Sequence, residues 1–220
     1  MTLDEAPRAV ARRGGRPTEK QAAELSERIL ATGTRFFLAR GFGATSVEAV
    51  AAACGMSKRT FYHRFRDKAD LFRAVVHALI ARWLPPFEAQ LRDAGPLEAM
   101  LRRVARQILT VALSPEALAL HRLLIAEAQR FPELPRIVAE QGARPGVDGI
   151  ARLLEHERAA GRLAVADAAF AAEQFLTMVL AVPQRRALGF GTPMNAGELD
   201  QWADRTVRLF LEGCRETPRA

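Results

Sequence analysis

Residues 45–68, TSVEAVAAACGMSKRTFYHRFRDK, contain two short helical patterns on either side of Gly55. Thr45 and Glu48 have the T-x-x-E spacing of a capping box, which predicts that a helix begins there. Gly55 ends that helix after about two turns, and Ser57 is placed to cap the next one. The segment therefore predicts two helices joined by a tight glycine turn.

The second of these helices has two chemically different sides. Phe61 and Phe65 are four residues apart, so they share one face and pack inward. A short helix with a buried aromatic side and a cationic outer side, after a glycine turn, predicts a helix-turn-helix that reads the DNA major groove. The outer side presents Lys58, Arg59, Thr60, Tyr62, His63 and Arg64.

The net charge is concentrated around this motif. Residues 1–82 hold 15 Arg or Lys and 8 Asp or Glu, a net +7, whereas residues 83–220 hold 17 of each and are neutral. Phosphate neutralisation supplies much of the affinity of DNA-binding proteins. The asymmetry, in the same segment as the motif, therefore favours a nucleic-acid partner over a merely solubilising basic surface.

Residues 1–17 have no apolar period, so we expect a flexible basic arm. Arg12, Arg13 and Arg16 lie around Gly14 and Gly15. Such an arm is a candidate to enter the DNA minor groove. The alternative is a solvated tail that makes no contact with DNA.

Beyond the motif, apolar residues recur at helical spacing and no segment alternates as a strand does, which predicts an all-α fold. Pro85 and Pro86 stop the helix that ends near Trp83, and we place a domain boundary there. This gives a three-helix domain with the helix-turn-helix at 18–82 and a second helical domain at 83–220. The predicted helices outside the motif span about 18–39, 67–83, 96–112, 114–131, 135–160 with a kink near 142–146, 167–188 with a kink near Pro183, and 195–213. The expected residues at helix starts are Thr18, Ser114, Asp167 and the pair Asn195 and Glu198, which has the spacing of a capping box.

The helix near 167–188 is apolar on more than one side, and the helix near 195–213 carries one apolar stripe. They are candidates to form half of a four-helix bundle with a second copy of the chain. An intramolecular core explains the same pattern, and the pattern alone does not decide between them.

The sequence shows no sign of other function classes. No apolar run approaches the roughly 18 residues of a membrane span, and the N-terminus does not resemble a secretory signal. Cys54 and Cys214 are far apart, as suits a reducing cytoplasm. No metal-ligand spacing, phosphate loop or nucleophile motif is present, so we expect no cofactor, no metal and no enzyme activity. A helical enzyme with a fortuitous basic motif is the alternative.

Residues 41–68, GFGATSVEAVAAACGMSKRTFYHRFRDK, resemble the DNA-binding segment of the TetR/AcrR family of bacterial transcriptional regulators. The resemblance implies a homodimeric repressor on a palindromic operator of double-stranded DNA. It also implies that residues 83–220 form an effector-binding and dimerisation domain, and that a small ligand there releases the DNA. An architectural DNA-binding protein without an effector is the alternative within the same class.

The resemblance also implies roles for individual residues. Thr45 and Ser46 correspond to phosphate contacts, and so do Tyr62, Arg64 and Lys68. Glu48 departs from the family pattern, in which a cation is common. The implied base or backbone readers are Lys58, Arg59, Thr60 and His63.

The C-terminal half resembles regulators of multidrug efflux at residues 121–134 and 171–178. An effector pocket of apolar residues with a few polar groups favours a hydrophobic or amphipathic ligand. Apolar stripes at helical spacing are more often plain core than ligand contacts. The candidate pocket residues are Met100, Val104, Ile108, Leu124, Phe175 and Met178.

Overall fold

The structure, a computed structural model, describes residues 19–83 and 95–214, and all regular secondary structure in those residues is helical. This confirms the all-α prediction. The candidate arm, Thr18 and the Pro85–Pro86 pair lie outside the described residues. The helices are α1 Glu19–Ala44, α2 Val47–Ala53, α3 Lys58–Tyr62, α4 Lys68–Trp83, α5 Leu97–Ala112, α6 Pro115–Glu127, α7 Glu133–Val138, a π-helical segment Ala139–Ala143, α8 Arg144–Ala159, α9 Ala168–Ala187 and α10 Ala196–Gly213.

Three predicted helix starts are formed by the residues expected to form them. The side chain of Ser114 accepts a hydrogen bond from the backbone of Ala117 at the start of α6. Asp167 caps α9 in the same way. Asn195 and Glu198 make the two reciprocal bonds of a capping box on α10. Each cap satisfies backbone N–H groups that have no partner within the helix.

The capping box predicted at Thr45 is wrong. Ser46 is the N-cap of α2 and accepts a hydrogen bond from Ala49 N. The Thr45 side chain is buried, and its hydroxyl donates to the carbonyl of Gly41 at 2.9 Å. Gly41 has a φ of 83°, so the chain leaves the helical path there and turns Thr45 back against the end of α1.

The first hydrophobic core is built around aromatic rings from α1, α3 and α4. Phe37 and Phe72 are fully buried, with ring centroids 5.4 Å apart in an edge-to-face arrangement. Side chains beyond residue 83 enter this core, so the two halves of the chain share it. These are Leu120 and Leu123 of α6, and Leu134 and Ile137 of α7.

The second core lies among α5, α8, α9 and α10. Phe175 of α9 and Phe210 of α10 are buried, with ring centroids 5.0 Å apart. Trp202 on α10 donates its indole N–H to the carbonyl of Val179 on α9 at 3.0 Å. The buried polar end of the tryptophan therefore has a partner, and α9 and α10 are fixed against each other.

The helices between α5 and α8 differ from their predicted bounds. α6 ends at Glu127 rather than near Phe131, because Arg130 N bonds to Glu127 O in a tight turn and Pro132 begins the next element. The predicted break near 142–146 is a π-helical segment at Ala139–Ala143. Segments of this kind insert an extra residue into a helix and are frequent at functional sites.

Candidate functional site

The α2–α3 pair is a helix-turn-helix whose inner side packs into the first core through apolar side chains. Gly55 adopts a φ of 65°, a conformation that favours glycine, and Met56 N then bonds back to Ala51 O at 3.0 Å. Ser57 caps α3 by accepting from Thr60 N at 3.1 Å. Phe61 is fully buried in the first core. The turn and the buried ring together set which side of α3 faces out.

The outward side of α3 carries cations and hydrogen-bonding groups. Lys58, Arg59 and His63 are exposed, and Tyr62 is 52% exposed although its ring packs edge-on against Phe61. Such groups suit phosphate oxygens and base edges in a major groove. The structure brings these predicted residues onto one surface, with Thr60 half-buried at its edge. Their separate roles toward DNA stay predictions.

Glu48 of α2 forms an ion pair with Lys58 of α3. The hydrogen bond from Lys58 lowers the pKa of Glu48, and the same bond raises the pKa of Lys58. Both side chains are more than half exposed, so water and salt screen the pair. In the free protein, the carboxylate therefore partly neutralises one cation of the outward surface.

Lys68 is engaged at the end of α1 in the free protein, and its expected role as a phosphate contact stays a prediction. Its Nζ donates to the carbonyls of Phe42 at 2.7 Å and Gly43 at 3.3 Å, at the end of α1. It also lies over the Phe42 ring, 4.5 Å from the centroid. Burial lowers the pKa of this amine. Lys68 therefore satisfies carbonyls that α1 leaves without helical partners.

Two further predicted phosphate contacts are engaged within the protein. Arg64 is half-buried and donates from Nη1 to Ser26 Oγ on α1 at 2.6 Å. The hydroxyl of Thr45 is committed to Gly41 and is only 1% exposed, so the expected side-chain contact of Thr45 with phosphate is corrected. Ser46 remains exposed at the start of α2.

A cavity of about 400 Å³ lies where α4, α5, the π-helical segment, α8 and α9 meet. Of the six residues predicted to line a pocket, Val104 and Ile108 do so. The lining residues are Ile80, Val104, Gln107, Ile108, Val111, Ala112, Gln141, Gly142, Ala143, Pro145, Gly146, Ile150, Leu176 and Leu180.

The other four predicted pocket residues belong to the hydrophobic cores. Met100 and Phe175 are buried in the second core, and Met178 packs against it. Leu124 packs against the first core. Helical periodicity places these residues on apolar faces, but it does not show which faces close on each other and which border a cavity.

Sequence reasoning missed the contribution of α4 to the cavity. Ile80, near the end of α4, lines it from the side of the helix-turn-helix domain. Ile80 also contacts the π-helical segment, since a Cβ on Gly142 would lie 3.0 Å from its Cδ1. The break predicted near Gly142 was the signal available in the sequence.

The outer faces of α9 and α10 expose large apolar side chains. Phe170 is 60% exposed and Leu209 is 62% exposed. Single exposed apolar residues are common, but here each lies on a helix whose other side is buried in the second core. These faces are available for a further packing partner.

Within the described residues, no single helix is long and apolar enough to span a membrane. Those residues also contain no group of three or more His, Cys, Asp or Glu side chains placed to hold a metal ion.

Two family models match the chain. Residues 29–75 match the model of bacterial regulatory proteins of the tetR family. Residues 99–213 match the C-terminal domain of AefR-like transcriptional repressors. The first match contains α2 and α3, and the second contains the cavity apart from Ile80.

Similar proteins are found among sequences and solved structures. A TetR-family regulator from Mesorhizobium loti MAFF303099 is 30% identical, with a TM-score of 0.77 over 90% of this chain and 100% of that one. The flavonoid-responsive regulator FrrA is 31% identical, with a TM-score of 0.73 over the same shares. YerO of Bacillus subtilis, an HTH-type transcriptional regulator, is 31% identical over 87 residues. That match covers 38% of this chain and only 30% of YerO.

Proposed function

The chain belongs to the TetR family of bacterial transcriptional regulators, and from that premise we propose that it is a homodimeric repressor. In this proposal it binds a palindromic operator through α3 and is released by a small, mostly apolar effector. It acts in the cytoplasm, where its DNA lies.

The exposed side of α3 is the observation that carries the DNA-binding part of the proposal. Lys58, Arg59, Tyr62 and His63 lie on a helix whose opposite side is anchored by Phe61. A helix of this kind enters the major groove with its side chains toward base edges. Arg59 is the candidate for a two-pronged contact with guanine, because its guanidinium has two parallel donors.

The apolar outer faces of α9 and α10 support a dimer. Two copies that bury Phe170 and Leu209 against each other would form a four-helix bundle. The dimer would place two copies of α3 on the same side, and its two-fold axis requires an inverted repeat in the DNA.

The cavity supports an effector site. Its walls are almost entirely apolar, and a volume of about 400 Å³ suits a small ring compound. FrrA, which is similar over its whole length, is described as flavonoid-responsive. We therefore place a flat, flavonoid-sized molecule first among candidate effectors.

The position of Ile80 supports coupling between this cavity and DNA. A ligand in the cavity contacts α4, and α4 packs against α1 within the helix-turn-helix domain. An effector releases DNA only when it binds the conformation that fits the operator less tightly. Displacement of α4 at Ile80 would shift α3 relative to the partner's reading helix.

Selection of bound sequences from a random DNA pool tests the proposal. The expected result is one inverted repeat, bound by the wild-type protein and lost or relaxed with Arg59→Ala. The double variant Phe170→Glu, Leu209→Glu should be monomeric and bind the repeat much more weakly. Binding without sequence preference would instead support an architectural DNA-binding protein.

A further inference from the structure

The cavity wall contains no ionisable side chain among its described lining residues. Moving a carboxylate or an ammonium group from water into apolar surroundings is unfavourable unless an opposite charge or several hydrogen bonds receive it. The wall offers no such charge. The described wall therefore favours an uncharged ligand.

The polar groups on the wall include two glutamine amides, on different helical elements. Gln107 of α5 already takes part in an interaction. Gln141 belongs to the π-helical segment, and its Oε1 is buried with no hydrogen-bond partner within the part of the chain that the structure describes. Buried amide oxygens nearly always have a partner, so this acceptor is an exception that calls for one.

We propose that the effector is an uncharged, mostly apolar molecule with a hydroxyl or N–H donor, and that Gln141 Oε1 accepts a hydrogen bond from that donor. This inference rests on the proposed effector site and names the chemistry that the site selects. A glutamine oxygen accepts and cannot donate, so a ligand with an ether or a methyl group at the same place leaves it unsatisfied.

The Gln141 amide has to turn for this contact, because its oxygen is shielded from water in the empty cavity. The turn breaks no hydrogen bond of that oxygen. Gln141 is half-buried and borders the cavity. A donor that meets the oxygen in the bound state gains a bond that the empty protein does not make, and this favours binding.

The place of Gln141 also bears on the response to the ligand. Gly142, the next residue, packs against Ile80 of α4. A ligand anchored at Gln141 is thereby held beside the one wall of the cavity that belongs to α4. The hydrogen bond to Gln141 Oε1 therefore both selects a ligand with a donor group and holds that ligand where it can displace α4.

Equilibrium dialysis with three probes of one ring system tests the inference. Flavone has no donor, 6-hydroxyflavone carries one phenol, and flavone-6-carboxylic acid is ionised at neutral pH. We expect 6-hydroxyflavone to bind at least tenfold more tightly than flavone and the carboxylate to bind at least tenfold more weakly than flavone. Equal affinity of the carboxylate and the phenol, or no binding of 6-hydroxyflavone, overturns the proposal.

Matched variants locate the donor contact. In Gln141→Leu, the advantage of 6-hydroxyflavone over flavone should fall to within about threefold, while flavone itself still binds. Gln107→Leu, the same change on α5, should keep the advantage. Circular dichroism and thermal unfolding establish that both variants are folded. If the advantage of 6-hydroxyflavone persisted in Gln141→Leu and disappeared in Gln107→Leu, the donor contact would belong to Gln107, and the proposal would be overturned.

The dialysis contains no DNA, so its outcome is separate from the proposed repressor function. If the protein bound no operator, the order of the three probes would still test the cavity chemistry. If the probes failed, selective binding to an inverted repeat would be unaffected.

Discussion

The carboxylate of Glu127 on α6 accepts a hydrogen bond from the backbone N–H of Gly43 at 2.8 Å. Gly43 lies at the end of α1, beyond the break at Gly41, so a residue of the C-terminal half holds the chain at the entrance to the helix-turn-helix. The approach is close, since a Cβ on Gly41 would lie 2.9 Å from the same carboxylate oxygen. The orientation of the reading helices therefore depends on α6 as well as on the first core.

Replacement of Glu127 by alanine should lower the free energy of unfolding by about 1–3 kcal/mol, since it leaves the Gly43 N–H without its charged acceptor. Glu127→Gln retains an acceptor oxygen and should lose less. Urea denaturation measures the difference. Glu116→Ala is the control, because its ion pair with Arg82 also joins α6 to α4 but is solvent-exposed and contributes at most about 1 kcal/mol. If Glu127→Ala and Glu116→Ala lowered the free energy of unfolding equally, the hydrogen bond from Gly43 to Glu127 would contribute no more to stability than the exposed ion pair.

Neutralising Glu48 should strengthen DNA binding. Glu48→Gln frees Lys58 from its ion pair, so one more cation is available to release counterions from the DNA. We expect higher affinity at low salt and a salt dependence steeper by up to about one unit, measured by fluorescence anisotropy at several salt concentrations. Lys58→Ala in the Glu48→Gln background should reverse the gain. An unchanged slope in Glu48→Gln would mean that Lys58 does not meet a phosphate.

Acid should remove a stabilising contribution of Glu157. Its side chain is buried and accepts two hydrogen bonds from Arg162, each 2.7 Å, and these lower its pKa from the usual 4.5. A carboxylate with a lowered folded-state pKa stabilises the protein above the unfolded pKa, and that contribution is lost as pH falls through the folded pKa.

The measurement is denaturant unfolding of the wild type and Glu157→Gln between pH 6 and pH 3. We expect Glu157→Gln to be less stable by about 1–3 kcal/mol at pH 6, and the gap to narrow as pH falls below about 4.5. Glu155→Gln is the control. Glu155 pairs with Arg158 at the exposed surface, where screening leaves a much smaller and less pH-dependent gap. If the difference in unfolding free energy between the wild type and Glu157→Gln did not change with pH, ionisation of Glu157 would have no role in stability.

Truncation of the cavity wall at α4 should separate ligand binding from release of DNA. Ile80→Ala removes the contact through which a ligand reaches α4, so we expect the effector to bind within a few-fold but to release DNA poorly. Leu180→Ala removes a similar apolar volume from the α9 wall and should weaken ligand binding while keeping release at saturation. Anisotropy of labelled operator, titrated with ligand, measures both. Full release in Ile80→Ala at saturating ligand would place the coupling elsewhere.

Local chemistry made much of this architecture predictable. Ser114, Asp167 and Asn195 cap the helices assigned to them, because a cap depends on only a few neighbouring residues. The inward direction of Phe61 followed from its spacing to Phe65 and from the glycine turn before it.

Contacts between distant segments were not predictable in the same way. The family resemblance assigned Lys68 to a DNA phosphate, and nothing in the sequence indicated that its amine also reaches carbonyls 25 and 26 residues away at the end of α1. Thr45 and Ser46 both suit a helix cap, and the turn at Gly41 decides between them. The cavity depends on how five elements are rotated about their axes, which a single apolar stripe does not specify.

The central claim, that α3 reads DNA in the major groove as part of a dimer, is tested most directly by dimethyl sulfate footprinting on the selected operator. This reagent methylates guanine N7, which lies in the major groove. The wild-type protein should protect guanines in two half-sites related by a dyad, and Arg59→Ala should lose protection at the same position of each half-site. Full occupancy of the DNA with guanine N7 unprotected, or protection without two-fold symmetry, would contradict the account.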